Sequence, residues 1–81
     1  MELKDTVKLM ESDNYNDRLK AEIYQLEIRM NKLNCMLQKW RDGSLEFTPT
    51  CNKEIYNRQL RFLRGYDAVL RERAIIENID I

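Results

Sequence analysis

From Leu19 onward the apolar residues recur at alternating steps of four and three: Leu19, Ile23, Leu26, Met30, Leu33, Leu37 and Trp40. Such spacing draws one stripe along an α-helix and cannot be reconciled with the two-residue period of a strand. It predicts a single long helix over about 14–41. Asp42-Gly43 closes that helix, because Gly enters the left-handed conformation at little cost. Lys39 and Arg41 fall in the last turn, where positive charge suits the negative end of the helix dipole.

Upstream, Ser12-Asp13-Asn14-Tyr15-Asn16-Asp17 breaks the register. Continuing the heptad backwards would put Ser12 and Asn16 in core positions. Ser, Asp and Asn instead favour caps and turns, since their side chains bond nearby backbone amides. A short first helix over about 2–11 is therefore expected, with Leu3, Val7 and Met10 on one face. Downstream, residues 42–50 read as a loop. Thr48 precedes Pro49 and is pushed towards extended geometry, Leu45 and Phe47 are expected to fold back over the hairpin end, and Thr50 is the expected N-cap of a last helix over about 51–78.

The last helix carries two apolar registers side by side. One runs Ile55, Gln59, Phe62, Tyr66, Val69, Arg73, Ile76; the other runs Tyr56, Leu60, Leu63, Leu70, Ala74. One partner helix does not need an arc that wide. Tyr66 is expected in the core. Gly65 either admits a close neighbour or costs about 1 kcal/mol of helix propensity. Two long helices of similar length joined by a short loop specify an antiparallel hairpin. The expected fold is thus all-α, a single domain over 1–81, with a short N-terminal helix followed by a long helical hairpin. A two-helix pin of 81 residues encloses little, so the surplus arc argues for a homo-oligomer.

Composition agrees with this class. Two Gly and one Pro are too few for an all-β chain with its frequent turns. No apolar run approaches the roughly 18–20 residues of a membrane span, and Glu2, Lys4 and Asp5 replace the apolar stretch of a signal peptide. A soluble cytoplasmic protein with no membrane partner is the expectation. Chemistry is narrowed by what is missing. With no His there is no imidazole base and no His-ligated zinc site. Cys35 and Cys51 form no CxxC motif, so neither metal nor redox-pair spacing is present. Cys51 is expected at a helix start, where a thiol can acidify, but it has no base beside it. No cofactor and no catalytic residue are expected, and the chain reads as a non-enzyme.

The 14 basic and 14 acidic residues cancel, yet they are unevenly spread. Residues 1–17 carry −3, 18–41 carry +4, 42–51 carry −2, 52–65 carry +3 and 66–81 carry −2. In a hairpin the loop-proximal half is basic and the open end acidic. Arg58, Arg61 and Arg64 recur every three residues and repel one another unless an anion or carboxylates lie between them. With Lys39 they could hold phosphates, and Trp40, Tyr15, Tyr24 or Tyr56 could stack on a base. Three readings stay open, in this order: a solvated face or a contact with the acidic half of another copy, an anion or nucleotide site, and a nucleic-acid track. The last ranks lowest because the net charge is zero. Tyr15, beside Asn14, Asn16 and Arg18, marks a second place for an anion at a helix N-terminus, weighed against a plain capping segment.

Three stretches carry a resemblance. They are Tyr15 through Glu22 with Leu33-Asn-Cys-Met-Leu37, the loop Leu45-Glu-Phe-Thr-Pro-Thr-Cys51, and a tail with Gln59-Leu60, Tyr66, Leu70, Arg73-Ala74, Ile76-Glu77 and Ile79. Together they resemble the small phage and prophage proteins of a crAss-like phage related family, over nearly the whole chain from Asp13. Asn52 stands where that family has Pro. The resemblance implies an accessory protein in the cytoplasm of a bacterial host. The fold also resembles the phage anti-CBASS and anti-Thoeris sponges, which assemble as oligomers, hexamers among them, and hold cyclic nucleotides between protomers without cleaving them. Their Gly-Tyr-Arg signature is absent here, so no binding residue carries over. The expected function is sequestration of a cyclic or related nucleotide second messenger that signals antiphage immunity. The alternative is an interaction module that inhibits a host defence protein, in the manner of an anti-CRISPR, or a phage regulatory subunit.

Overall fold

Residues 1–81 are all described by the computed structural model, and every regular element is helical. A 3-10 turn, Leu3–Thr6, leads into the short α1, Val7–Met10; α2 spans Tyr15–Asp42 and α3 spans Lys53–Ile76. Helices α2 and α3 form an antiparallel hairpin about 43 Å long. The N-terminal segment folds back along the first half of α2.

The heptad stripe of α2 is its contact with α3. Leu19, Ile23, Leu26 and Leu37 are buried, and Met30, Leu33 and Trp40 are half-buried. From α3 come Leu60, Leu70 and Ala74, all buried, with Tyr56 and Leu63 half-buried beside them. The best-packed region lies at the open end, where Leu19, Ile23 and Leu26 meet Leu70, Ala74 and Ile79. Ile79 reaches it through a Schellman turn: Asn78 is left-handed with φ 57°, its N–H donates to the Ile75 carbonyl, and the Ile79 N–H donates to that of Ala74 at 2.8 Å. Gly43, at φ 75°, closes α2 in the same way, with Ser44 N–H donating to the Lys39 carbonyl at 2.9 Å.

Several local expectations are corrected. The first segment does not present Leu3, Val7 and Met10 together. Because it starts as a 3-10 turn of three residues per turn, Leu3, Thr6 and Leu9 align instead and face α2. Thr6 is fully buried; its hydroxyl donates to the Leu3 carbonyl at 2.7 Å and accepts from Gln25 Nε2 at 2.9 Å. Helix α3 starts at Lys53, not 51, since the Asn52 side chain, not Thr50, caps it by accepting from the Ile55 N–H at 3.1 Å. The helix ends at Ile76, where the left-handed Asn78 stops it short of 78. Cys51 consequently lies ahead of the helix, and both cysteines are free and exposed.

Helix α3 uses its two registers differently, and only the placing of Tyr66 is corrected. Its second register packs on α2, and its first faces outward. Phe62 is 69% exposed, Val69 55% and Ile76 74%, with Ile55 and Tyr66 also exposed. Leu and Ala pack flush against the α2 stripe, whereas Tyr66, expected in the core, sits at the seam's outer edge and donates its hydroxyl hydrogen bond to Glu22.

Candidate functional site

Helical geometry decides which candidate residues can meet. Successive steps of three residues each fall about 60° short of a full turn, so Arg58, Arg61 and Arg64 fan across α3 and do not share one line. Arg58 borders the outward apolar stripe, while Arg64 reaches the α2 side, where it rims a groove with Asn31, Asn34 and Asp67. All three are exposed, and none makes an ion pair or a side-chain hydrogen bond within the protomer. Asp67 already has a partner: Arg71 Nε donates to its Oδ2 at 2.9 Å and Arg71 also pairs with Glu27 at 3.4 Å. Hydrogen bonding to Asp67 is the main reason the Arg71 pKa is raised above its ordinary value. The other Asp67 oxygen, Oδ1, is buried without a partner.

At the loop end, Lys39 and Lys32 flank a groove of about 350 Å³ floored by Cys35, Met36, Leu45 and Phe47. Leu45 and Phe47 fold back here, although Phe47 remains largely exposed. Trp40 faces the other way, into the hairpin. Its ring meets Tyr56 edge to face at 6.2 Å, and Lys53 Nζ stands 5.1 Å from its centroid. One face of the indole is therefore already taken by a cation. Tyr24 packs against the core cluster.

Tyr15 lies at the opposite end of the rod, some 25 residues or about 37 Å of helix from Trp40. Within one protomer it cannot join Lys39, Trp40 or the arginine series. Its hydroxyl accepts from Arg73 Nη2 at 2.6 Å, and Arg73 Nε lies 3.6 Å from Glu77. The hydrogen bond to Tyr15 chiefly raises the Arg73 pKa, with the Glu77 charge adding to it. The polar groups of the preceding turn are consumed locally. Asn14 caps α2 by accepting from Asn16 N–H at 2.9 Å, Ser12 donates to Asp17 at 2.8 Å, and Arg18 donates to the Ser12 carbonyl at 2.8 Å. That turn is a capping segment, not a free anion nest.

The Tyr15–Arg73 contact was missed from the residues alone, whereas the surplus arc of α3 was expected and the structure identifies it as the outward stripe. Both follow from which α3 register meets α2, and the stripe joins them along one face. Its aromatic and aliphatic side chains are bordered by Arg58 near one end and by Arg73 with Tyr15 near the other. The family model of Sequestin matches residues 13–76, most of the chain and both helices of the hairpin. The chain belongs to the Sequestin family. No curated protein and no solved structure matches it. The Sequestin match begins at the capping turn and ends with α3, so it spans the arginine series, the outward stripe and the Tyr15–Arg73 contact alike. The family's name points to binding and holding, not turnover. No helix is long and apolar enough to cross a membrane.

Proposed function

We propose that this Sequestin family member is a non-enzymatic binding protein that sequesters a nucleotide second messenger within a homo-oligomer. In a phage or prophage setting this would blunt a bacterial antiphage response. The observation that supports the reading is the outward face of α3. An exposed aromatic and aliphatic stripe is surface that a second copy can cover, and the guanidiniums of Arg58 and Arg73 on its borders match phosphate geometry. Sequestration needs only affinity and enough protein to outcompete the host receptor.

Thermal shift against cyclic di- and trinucleotides and ADP-ribose derivatives tests this. A ligand present at 100 times its Kd adds about 2.7 kcal/mol, or roughly 10 °C or more for a chain of this size. The ligand should be recovered chemically intact after heat denaturation. If no member of the panel moves the melting temperature, the nucleotide reading fails. The same stripe favours a second reading, docking of a host defence protein on the apolar face. That reading predicts no nucleotide shift and a stable complex that Phe62→Asp abolishes.

A further inference from the structure

The outward register of α3 reads the same from either end. Ile55 and Ile76 terminate it, Gln59 and Arg73 come next, Phe62 and Val69 follow, and Tyr66 stands at the centre. Apolar, polar, apolar, centre, apolar, polar, apolar is the order a helix needs to pack on an inverted copy of itself, because a two-fold interface must be self-complementary. Charge selects the same orientation. Residues 53–65 carry four basic groups and one acidic, and residues 66–81 carry two basic and four acidic. Inversion sets the basic half of one copy beside the acidic half of the other, whereas parallel pairing would set like against like. Gly65, adjacent to the centre, has nothing within 4 Å of where a Cβ would stand, so the helix axes can approach there.

We infer that two copies pack α3 against α3 antiparallel about Tyr66, and that this seam builds two equivalent anion sites, each with Arg58 from one copy and Arg73 with Tyr15 from the other. The register puts Ile55 opposite the partner's Ile76, Phe62 opposite the partner's Val69, and Arg58 level with the partner's Arg73. Glu72, exposed and without an ion pair in the protomer, falls level with the gap between the partner's Arg58 and Arg61 and holds the orientation. At each end of the seam two guanidiniums then face each other, a repulsion that a bridging phosphate relieves. Tyr15, about 37 Å from the loop end within its own chain, is carried by the two-fold to the arginine series of its neighbour. This rests on the nucleotide reading for the ligand, but not for the seam.

The seam is tested without ligand, on a Cys35→Ser/Cys51→Ser background. Tyr66→Cys should oxidise to a disulfide-linked dimer, and so should the double variant Phe62→Cys/Val69→Cys. Ile55→Cys alone should form no disulfide, since the two-fold separates it from its own copy. Circular dichroism checks that each variant is helical. Equal crosslinking of Tyr66→Cys and Ile55→Cys, or none by either Tyr66→Cys or the double variant, overturns the seam. The shared site is tested by mixing, with labelled cyclic di-AMP and ADP-ribose as probes. Arg58→Ala and Arg73→Ala should each abolish binding alone. Unfolded and refolded together in equal amounts they should recover about a quarter of the wild-type capacity, because half the dimers are mixed and each has one intact site. Failure to recover overturns the shared site. A wild type that binds neither probe overturns the nucleotide reading and the anion sites with it, while the disulfides judge the seam separately.

Discussion

Ile23 and Phe62 differ little in hydrophobicity and entirely in consequence. Ile23 is fully buried against Leu70 and Ala74, whereas Phe62 leaves most of its ring in solvent. Truncating Ile23 to Ala removes transfer energy and opens a cavity in a rod that has few other packed layers. Ile23→Ala should cost about 2–5 kcal/mol by chemical denaturation. Phe62→Ala should change the stability of the protomer by no more than about 0.5 kcal/mol, measured at low concentration where copies are apart. A large loss for Phe62→Ala under dilution would mean that the ring is buried within its own chain. The glycines divide in a similar way. Gly43 sits at φ 75°, so Gly43→Ala should cost roughly 1–2 kcal/mol. Gly65 has open space around it, and Gly65→Ala should raise helix stability by about 1 kcal/mol in the isolated protomer. In the assembled form the same methyl group should weaken association, a reversal readable by sedimentation.

Among the elements, α2 was legible from its sequence because one stripe carries almost all its large apolar residues, leaving no choice of face. Helix α3 was not, because it carries two. Periodicity marks both registers as apolar and is silent on which one meets α2. The structure buries Leu60, Leu70 and Ala74 in the hairpin and turns Phe62 and Val69 out. The short first segment misled for another reason. A helical period of 3.6 was applied where the chain takes three residues per turn, so Thr6 and not Val7 is the buried member. Thr6→Ala should cost about 1 kcal/mol, because Gln25 Nε2 loses its oxygen acceptor, keeping only the weak Met10 sulfur, and the N-terminal segment its one buried tie to α2 through a hydroxyl. The candidate site was legible as a set of residue types but not as a place. The length of α2 alone puts Tyr15 and Trp40 at opposite ends, a signal available from the long-helix reading that separates residues grouped by their chemistry.

For the whole molecule, the outward stripe and the charge division act together, and they make stability depend on concentration. A protomer that buries only 11 of its 81 residues holds little in reserve, and any association through α3 adds to its melting temperature by mass action. The melting temperature should therefore rise steadily as protein concentration increases from micromolar to millimolar. Phe62→Asp/Val69→Asp should flatten that dependence while leaving the helical content of the dilute protein unchanged. The charges that orient the seam should show a different signature. With no His in the chain, no side chain of ordinary pKa titrates between about pH 5.5 and 7.5. Arg73, whose pKa is raised by Tyr15, binds its proton more firmly when folded, so its contribution is complete throughout that window and is lost only at strongly alkaline pH. Association measured by light scattering should accordingly be flat from pH 5.5 to 7.5. It should weaken with added salt, because the charges along the seam are exposed and screened within roughly 8–10 Å. A marked pH dependence inside that window would assign the association to groups other than the guanidiniums and carboxylates of α3.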